Sequence, residues 1–315
     1  MRGPHVWLNW QAARQGHPPR ASSHPKRTIQ VLPLWQEYSI YSDARIAGNL
    51  DAGPYKLIMS FDVQGRRGIG QLHRQLIVRV TDHLPDPEPD DGPVDTARAH
   101  DFTPNLDGWT GGDIGEQITA LLSVALARRV RSSGVSRECF EGIGDSLGTP
   151  RGPDVAPFLE APSGYAMIPQ LAGEVRIEDA GPFLETYAGL SSKQSAIVLR
   201  AAGQYADALW WADADPRMSW IKLVGALETA ANEFDQSTTS DPVELLKRHR
   251  GRLYGDLKRI DPRAAEVVAR HLHGLVQAED KLLAFTLAHA PAPPPQRPTI
   301  AQFDFGELES ALSTI

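Results

Sequence analysis

The densest group of side chains able to do chemistry is a basic run, KRHRGRLYGDLKR, at residues Lys247–Arg259. Arginine and lysine neutralise nucleic-acid phosphates, and Tyr254 offers a ring that can stack on a base. The run therefore predicts contact with RNA. The alternative is a solvated helix end, where cations interact favourably with the last carbonyl groups. The candidate RNA-binding residues are Arg248, Arg250, Arg252, Lys258 and Arg259.

A second candidate is the carboxylate of Glu228, within the apolar stretch SWIKLVGALETAANEF at 219–234. Apolar residues recur there at intervals of three and four, which predicts a seam facing a partner helix: Trp220, Leu223, Leu227, Ala230 and Phe234. Glu228 flanks that seam, and a buried carboxylate without a partner costs several kcal/mol or takes up a proton. Two alternatives follow: Glu228 lies at the boundary, where it reaches water or pairs with a structural arginine such as Arg200, or it pairs with a cation beyond Ile315.

The helices that position these residues share one start signal, an aspartate followed by proline at Asp215, Asp241 and Asp261. Aspartate accepts hydrogen bonds from the free N–H groups of the first turn, and proline fits the first helical position. With an earlier start at Ser191 or Ser192, the pattern predicts helices at 192–212, 216–234, 242–256 and 262–288. Their short connections favour an antiparallel bundle.

The first half of the chain has a different periodicity. Apolar residues alternate with polar ones from Tyr55 to Val63 and again from Leu72 to Val80, which predicts a β-hairpin. Asp113 and Glu116 form a capping-box pattern, which predicts a helix through about Val130 that ends near Gly134. The pattern over 134–190 assigns no regular elements.

The predicted fold class is therefore α+β, with a β-containing N-terminal domain followed by an all-α helical bundle. Residues 1–27 are predicted to be a disordered tail, 28–189 the β-containing domain, and 190–315 the bundle. The acidic, proline-rich stretch 82–101 is predicted to be an exposed loop rather than a metal site.

Composition restricts the functional classes. The 315-residue chain has a net charge of -7, so any nucleic-acid contact needs a local basic patch. Cys139 is the only cysteine, which excludes an intramolecular disulfide and a multi-cysteine metal site. No apolar run approaches the roughly 18 residues that span a bilayer, and the start lacks a signal-peptide pattern. We expect a cytoplasmic protein without a metal or cofactor and without a membrane partner.

A resemblance to a known family rests on residues 199–234, LRAAGQYADALWWADADPRMSWIKLVGALETAANEF. An arginine-led helix with a Tyr-x-x-Ala-Leu step, here Tyr205–Leu209, precedes a helix with an Ala-Leu-Glu triplet, here ending at Glu228. This arrangement resembles the paired helices of Apea-like HEPN domains. More loosely, GELESALSTI at 306–315 resembles the run that leads into the family's final core helix.

The resemblance implies a helical bundle that forms homodimers and a metal-independent RNase. In that family an arginine and a histidine at the spacing R-x4-6-H act on RNA, the histidine by proton transfer at the ribose 2′-hydroxyl and the arginine by stabilising phosphate charge. No arginine after residue 190 precedes a histidine at this spacing. The resemblance places the pair beyond Ile315, where Glu228 would orient the arginine.

Two accounts of that ending remain open: a chain shorter than its domain, or a natural variant without catalysis. We predict an RNA-targeting HEPN-like protein, an endoribonuclease of a bacterial phage-defence or toxin system when complete and inactive as the chain stands. The alternative is a non-catalytic binding or dimerisation scaffold.

Overall fold

A computed structural model describes residues 3–19, 35–59, 73–84, 112–139, 157, 173–233 and 241–289. It confirms the α+β class, because an antiparallel sheet region is followed by a set of helices. The chain divides into two compact units, Met1–Ala226 and Leu227–Ile315.

The first unit contains helices and strands, and its first element, a helix, precedes the sheet in the chain. The helices are α1 (His5–Arg14), α2 (Ile114–Leu126), α3 (Gly181–Ala188) and α4 (Ser192–Trp211), with a 3₁₀ turn at Ile177–Ala180. The strands are β1 (Trp35–Ser42), β2 (Arg45–Ala47), β3 (Leu50–Ala52), β4 (Tyr55–Met59), β5 (His73–Val80), β6 (Arg131–Cys139) and β7 (Glu174–Arg176). Helix α5 (Pro216–Glu233) begins in this unit and ends in the second one, which contains α6 (Pro242–Ile260) and α7 (Pro262–Ala288).

Among the described residues, five strands form one antiparallel sheet in the order β3-β4-β5-β1-β6. The predicted hairpin is confirmed by the pairing of β4 with β5, in which Leu57 lies opposite Val78. Its predicted turn, and Phe61 and Val63, lie outside the described residues. Strand β1 then pairs with both β5 and β6, so it is an interior strand of the sheet.

The predicted tail is wrong for its described part, because His5–Arg14 is helix α1 with Val6 and Trp10 in the core. The side chain of Asn9 is fully buried and hydrogen-bonded on both sides: its amide donates to the Thr81 carbonyl at 2.9 Å, and its oxygen accepts from the His83 N–H at 2.7 Å. Sequence periodicity did not predict this helix, because it is only 10 residues long and is stabilised by contacts with residues distant in the sequence.

Helix α2 starts as predicted, since Asp113 and Glu116 form a reciprocal capping box. It ends at Leu126 rather than near Val130, because Ala127 adopts a left-handed conformation with φ 49°. The chain then turns back as β6 beside β1. The stretch 134–190, to which the sequence pattern assigned no regular elements, contains the second half of the 9-residue strand β6, together with β7 and α3.

The later helices begin where the sequence predicts. Ser191 forms a capping box with Gln194, and the carboxylates of Asp215, Asp241 and Asp261 accept first-turn N–H groups. Helix α6 continues to Ile260, four residues past its predicted end, and contains non-helical backbone at Arg250 (φ -138°, ψ 46°). The neighbouring Gly251 lowers the cost of that kink.

The unit boundary lies near residue 226 instead of 190. Leu199 and Ala202 of α4 belong to the same core cluster as Leu121 and Leu122 of α2, so α4 packs with the sheet-containing unit. In the second unit, α6 and α7 form a helical hairpin around Leu245, Leu246, Ala269 and Val276.

Candidate nucleic-acid interface

All five predicted RNA-binding residues lie on α6, the most basic of the helices that the structure describes. It carries six lysine and arginine residues against two carboxylates. The structure divides the five into a group that contacts α7 and a group that does not, and this division was not visible in the sequence.

Arg248 belongs to the group that contacts α7. Its Nη1 donates to Oδ1 of Asp280 at 3.2 Å, and the same oxygen lies 3.0 Å from Nε2 of His249. The Asp280 side chain is only 8% exposed whereas that of Arg248 is 52% exposed. A buried carboxylate thus anchors a guanidinium whose other side faces solvent.

Arg250 lies at the kink of α6 and also turns toward α7. Its Nη2 donates to Oε1 of Glu279 at 2.7 Å, and its Nη1 donates to the His249 carbonyl at 3.1 Å. Both ends of the pair are about one-third exposed, at 32% and 34%. A pair with this much solvent contributes at most about 1 kcal/mol.

The outer group consists of Arg252, Lys258 and Arg259, which are all exposed. Arg252 and Lys258 make no ion pair within the part of the chain that the structure describes. Arg259 pairs with Asp256 one turn away at 2.8 Å, with its side chain 80% exposed. Tyr254 is half-buried, and Nζ of Lys247 lies 5.4 Å from its ring centroid. These cations can therefore reach a polyanion without unfolding the helix.

Glu228 lies where water reaches it, which agrees with the boundary alternative. It is exposed, and neither Glu228 nor Arg200 makes an ion pair among the described residues. The predicted seam is wrong for Trp220 and Leu227, which are 67% and 43% exposed. The buried residues of α5 are instead the small side chains of Ser219, Ala226 and Ala231. Phe234 and the stretch 306–315 lie outside the described residues.

One charged cluster that the sequence did not predict crosses the sheet. Glu37 on β1 is fully buried and accepts hydrogen bonds from Arg79 on β5 and Arg137 on β6, at 2.8 and 2.7 Å. Both guanidinium groups also lie over the ring of Trp35, at 3.7 and 4.9 Å from its centroid. The pairing register of β1 with β5 and β6 places both arginines opposite Glu37, and the sequence alone did not predict that register.

A second unpredicted cluster ties the end of β1 to the end of α4. Arg129 pairs with Asp43 at 2.9 Å and with Asp213 at 2.6 Å, and all three side chains are fully buried. Its Nε donates to the Leu209 carbonyl at 2.7 Å. Burial raises the pKa of the Asp43 carboxyl, although Arg129 opposes the shift. Two carboxylates around one guanidinium give this cluster a structural role.

Comparisons of the chain with protein-family models, with curated proteins and with solved structures found no match. In the described ranges, no three histidine, cysteine, aspartate or glutamate side chains are grouped as metal ligands. Nor does any described helix have the length and apolar character needed to cross a membrane.

Proposed function

We propose that the protein binds RNA through the outer face of α6, which carries the exposed residues Arg252, Lys258 and Arg259. The observation that carries this proposal is the concentration of exposed cations on one helix of an acidic chain, with Arg252 and Lys258 outside any ion pair of the described residues. A net charge of -7 disfavours general attraction of polyanions, so a single basic helix would dominate the local contact.

Salt dependence of RNA binding tests this proposal. The double variant Arg252→Ala, Lys258→Ala should bind single-stranded RNA more weakly, and the slope of log affinity against log salt should fall by about 1.4, since each phosphate contact contributes about 0.7. Fluorescence anisotropy with a labelled RNA between 50 and 200 mM salt would measure both quantities.

A matched control removes the same amount of charge from α7. Arg263 and Arg270 are exposed and form no ion pair with any described residue, so Arg263→Ala, Arg270→Ala should leave the slope unchanged. Equal losses in the two double variants, or binding that does not depend on salt, would argue against α6 as the binding element.

The resemblance to Apea-like HEPN domains extends the proposal to RNA cleavage in bacterial defence or toxin systems. Helices α4 to α7 contain no arginine and histidine at the R-x4-6-H spacing. RNA binding without cleavage is therefore the activity that we expect of these helices, and Glu228 would support catalysis only beside an arginine outside them.

A dimerisation scaffold is the second candidate function. Large apolar side chains of α6 and α7 face solvent, among them Ile260 at 83% and Leu275 at 60% exposure. A second copy of the hairpin could cover them and complete a four-helix arrangement. Sedimentation of wild type against Leu275→Glu would detect such a dimer, because the introduced charge should shift the protein toward the monomer.

A further inference from the structure

Glu279 on α7 forms an ion pair with Arg250, one of the predicted RNA-binding residues. Its Oε1 accepts a hydrogen bond from Nη2 of Arg250 at 2.7 Å, while Nη1 of the same guanidinium donates to the His249 carbonyl. Arg250 is also the one described residue inside α6 whose backbone leaves the helical conformation. Kink and ion pair together direct this side chain toward α7 instead of along the outer face.

We propose that Glu279 is an intramolecular competitor of RNA, an autoinhibitory contact that keeps Arg250 from the phosphate backbone. This inference rests on the proposed RNA binding by α6. A carboxylate and a phosphate oxygen use the same guanidinium donors, so Arg250 exchanges one anionic partner for the other. RNA affinity is then lower than the charge of α6 alone would give.

Exposure explains why Glu279, rather than its neighbour Asp280, is the exchangeable partner. The Glu279 side chain is 34% exposed, so water can solvate the carboxylate when Arg250 leaves. Asp280 is 8% exposed and contacts both Arg248 and His249, so loss of Arg248 would remove an ion pair from a carboxylate that water solvates poorly. Asp280 therefore anchors Arg248, whereas Glu279 competes for Arg250.

The substitution Glu279→Gln tests the competition. It removes the charge that holds Arg250 and keeps the side-chain shape, so one more phosphate contact becomes available. The salt slope should steepen by about 0.7, which corresponds to about fivefold tighter binding at 0.1 M salt. Anisotropy with the same labelled single-stranded RNA measures both values, and circular dichroism verifies that the hairpin is folded.

Removal of any negative charge raises RNA affinity slightly, so a second acid of α7 serves as the control. Glu266 is exposed and makes no ion pair among the described residues. Glu266→Gln should leave the slope unchanged. In a double-mutant cycle, Glu279→Gln should also lose its effect when Arg250 is already alanine, because the competition acts through that guanidinium.

The outcomes separate this inference from the proposed function. If wild type binds RNA and Glu279→Gln changes the slope no more than Glu266→Gln, the competition is wrong and RNA binding stands. Persistence of the Glu279→Gln effect in the Arg250→Ala background likewise contradicts it. If neither wild type nor Glu279→Gln binds RNA, both proposals are wrong.

Discussion

At the scale of single residues, burial determines what each charged side chain contributes. Arg129 has no solvent exposure and two carboxylate partners, so removing it would leave buried charges uncompensated, at a cost of about 3–5 kcal/mol. Arg252 and Lys258 are exposed, so their loss should barely affect folding and should act on ligand binding instead. Sequence composition treats these arginines alike, because it contains no information on burial.

Asp43 gives a pH prediction at this scale. Its pKa is raised in the folded protein, chiefly by burial, so folding favours the protonated carboxyl. The corresponding stability is present below the unfolded pKa of about 3.9 and is lost as pH rises through the folded pKa. The free energy of unfolding of Asp43→Asn should therefore fall less than that of wild type above about pH 4, as measured by urea unfolding.

Glu178 supplies a control of opposite sign. Hydrogen bonds from its own backbone N–H and that of Asn49 lower its pKa, so its contribution is present at higher pH and is lost on acidification. Glu178→Gln should flatten the acid side of the stability profile, whereas Asp43→Asn flattens the other side. Parallel profiles for Asp43→Asn and wild type would contradict the assignment.

At the scale of elements, local signals predicted helix starts well and tertiary placement poorly. Asp113, Asp241 and Asp261 cap helices as predicted, because an N-cap depends on a few adjacent residues. Helix α1 and the packing of α4 on α2 depend on contacts between distant residues, which periodicity does not encode. For the same reason the predicted α5 seam was wrong at Trp220 and Leu227, which are exposed.

The docking of α1 can be tested with Asn9→Ala. That change leaves the half-buried Thr81 carbonyl and His83 N–H without their Asn9 partner, and a hydrogen bond lost in this way costs about 1 kcal/mol. The thermal midpoint should fall, and protease should cleave α1 faster than in wild type. Gln15→Ala, at an exposed position just after α1, should change neither. Unchanged cleavage of Asn9→Ala would mean that the other contacts of α1, such as the hydrogen bonds from Gln11 and Arg14 to the Ala188 carbonyl, hold the helix without Asn9.

At the scale of the whole molecule, the described parts of the two units differ in the number of apolar side chains that they bury. The core of the first unit joins the sheet, α1, α2, α3 and α4, with fully buried residues such as Ile40, Leu76 and Leu121. The apolar cluster of the α6–α7 hairpin has four buried members: Leu245, Leu246, Ala269 and Val276. Because buried area supplies most of the folding free energy, the hairpin should be the less stable part.

Hydrogen exchange would measure that difference and also distinguish the two candidate functions. Amides of β1, β5 and α2 should exchange slowest, and those of α6 after the kink at Arg250 should exchange fastest among the described helices.

If the exposed apolar residues of the hairpin bind a second copy, the protection of the hairpin amides should rise with protein concentration, because association stabilises the folded form. If α6 instead binds RNA, protection should rise with added RNA and stay constant with protein concentration. Equal protection of the hairpin and the sheet under all conditions would contradict the stability difference itself.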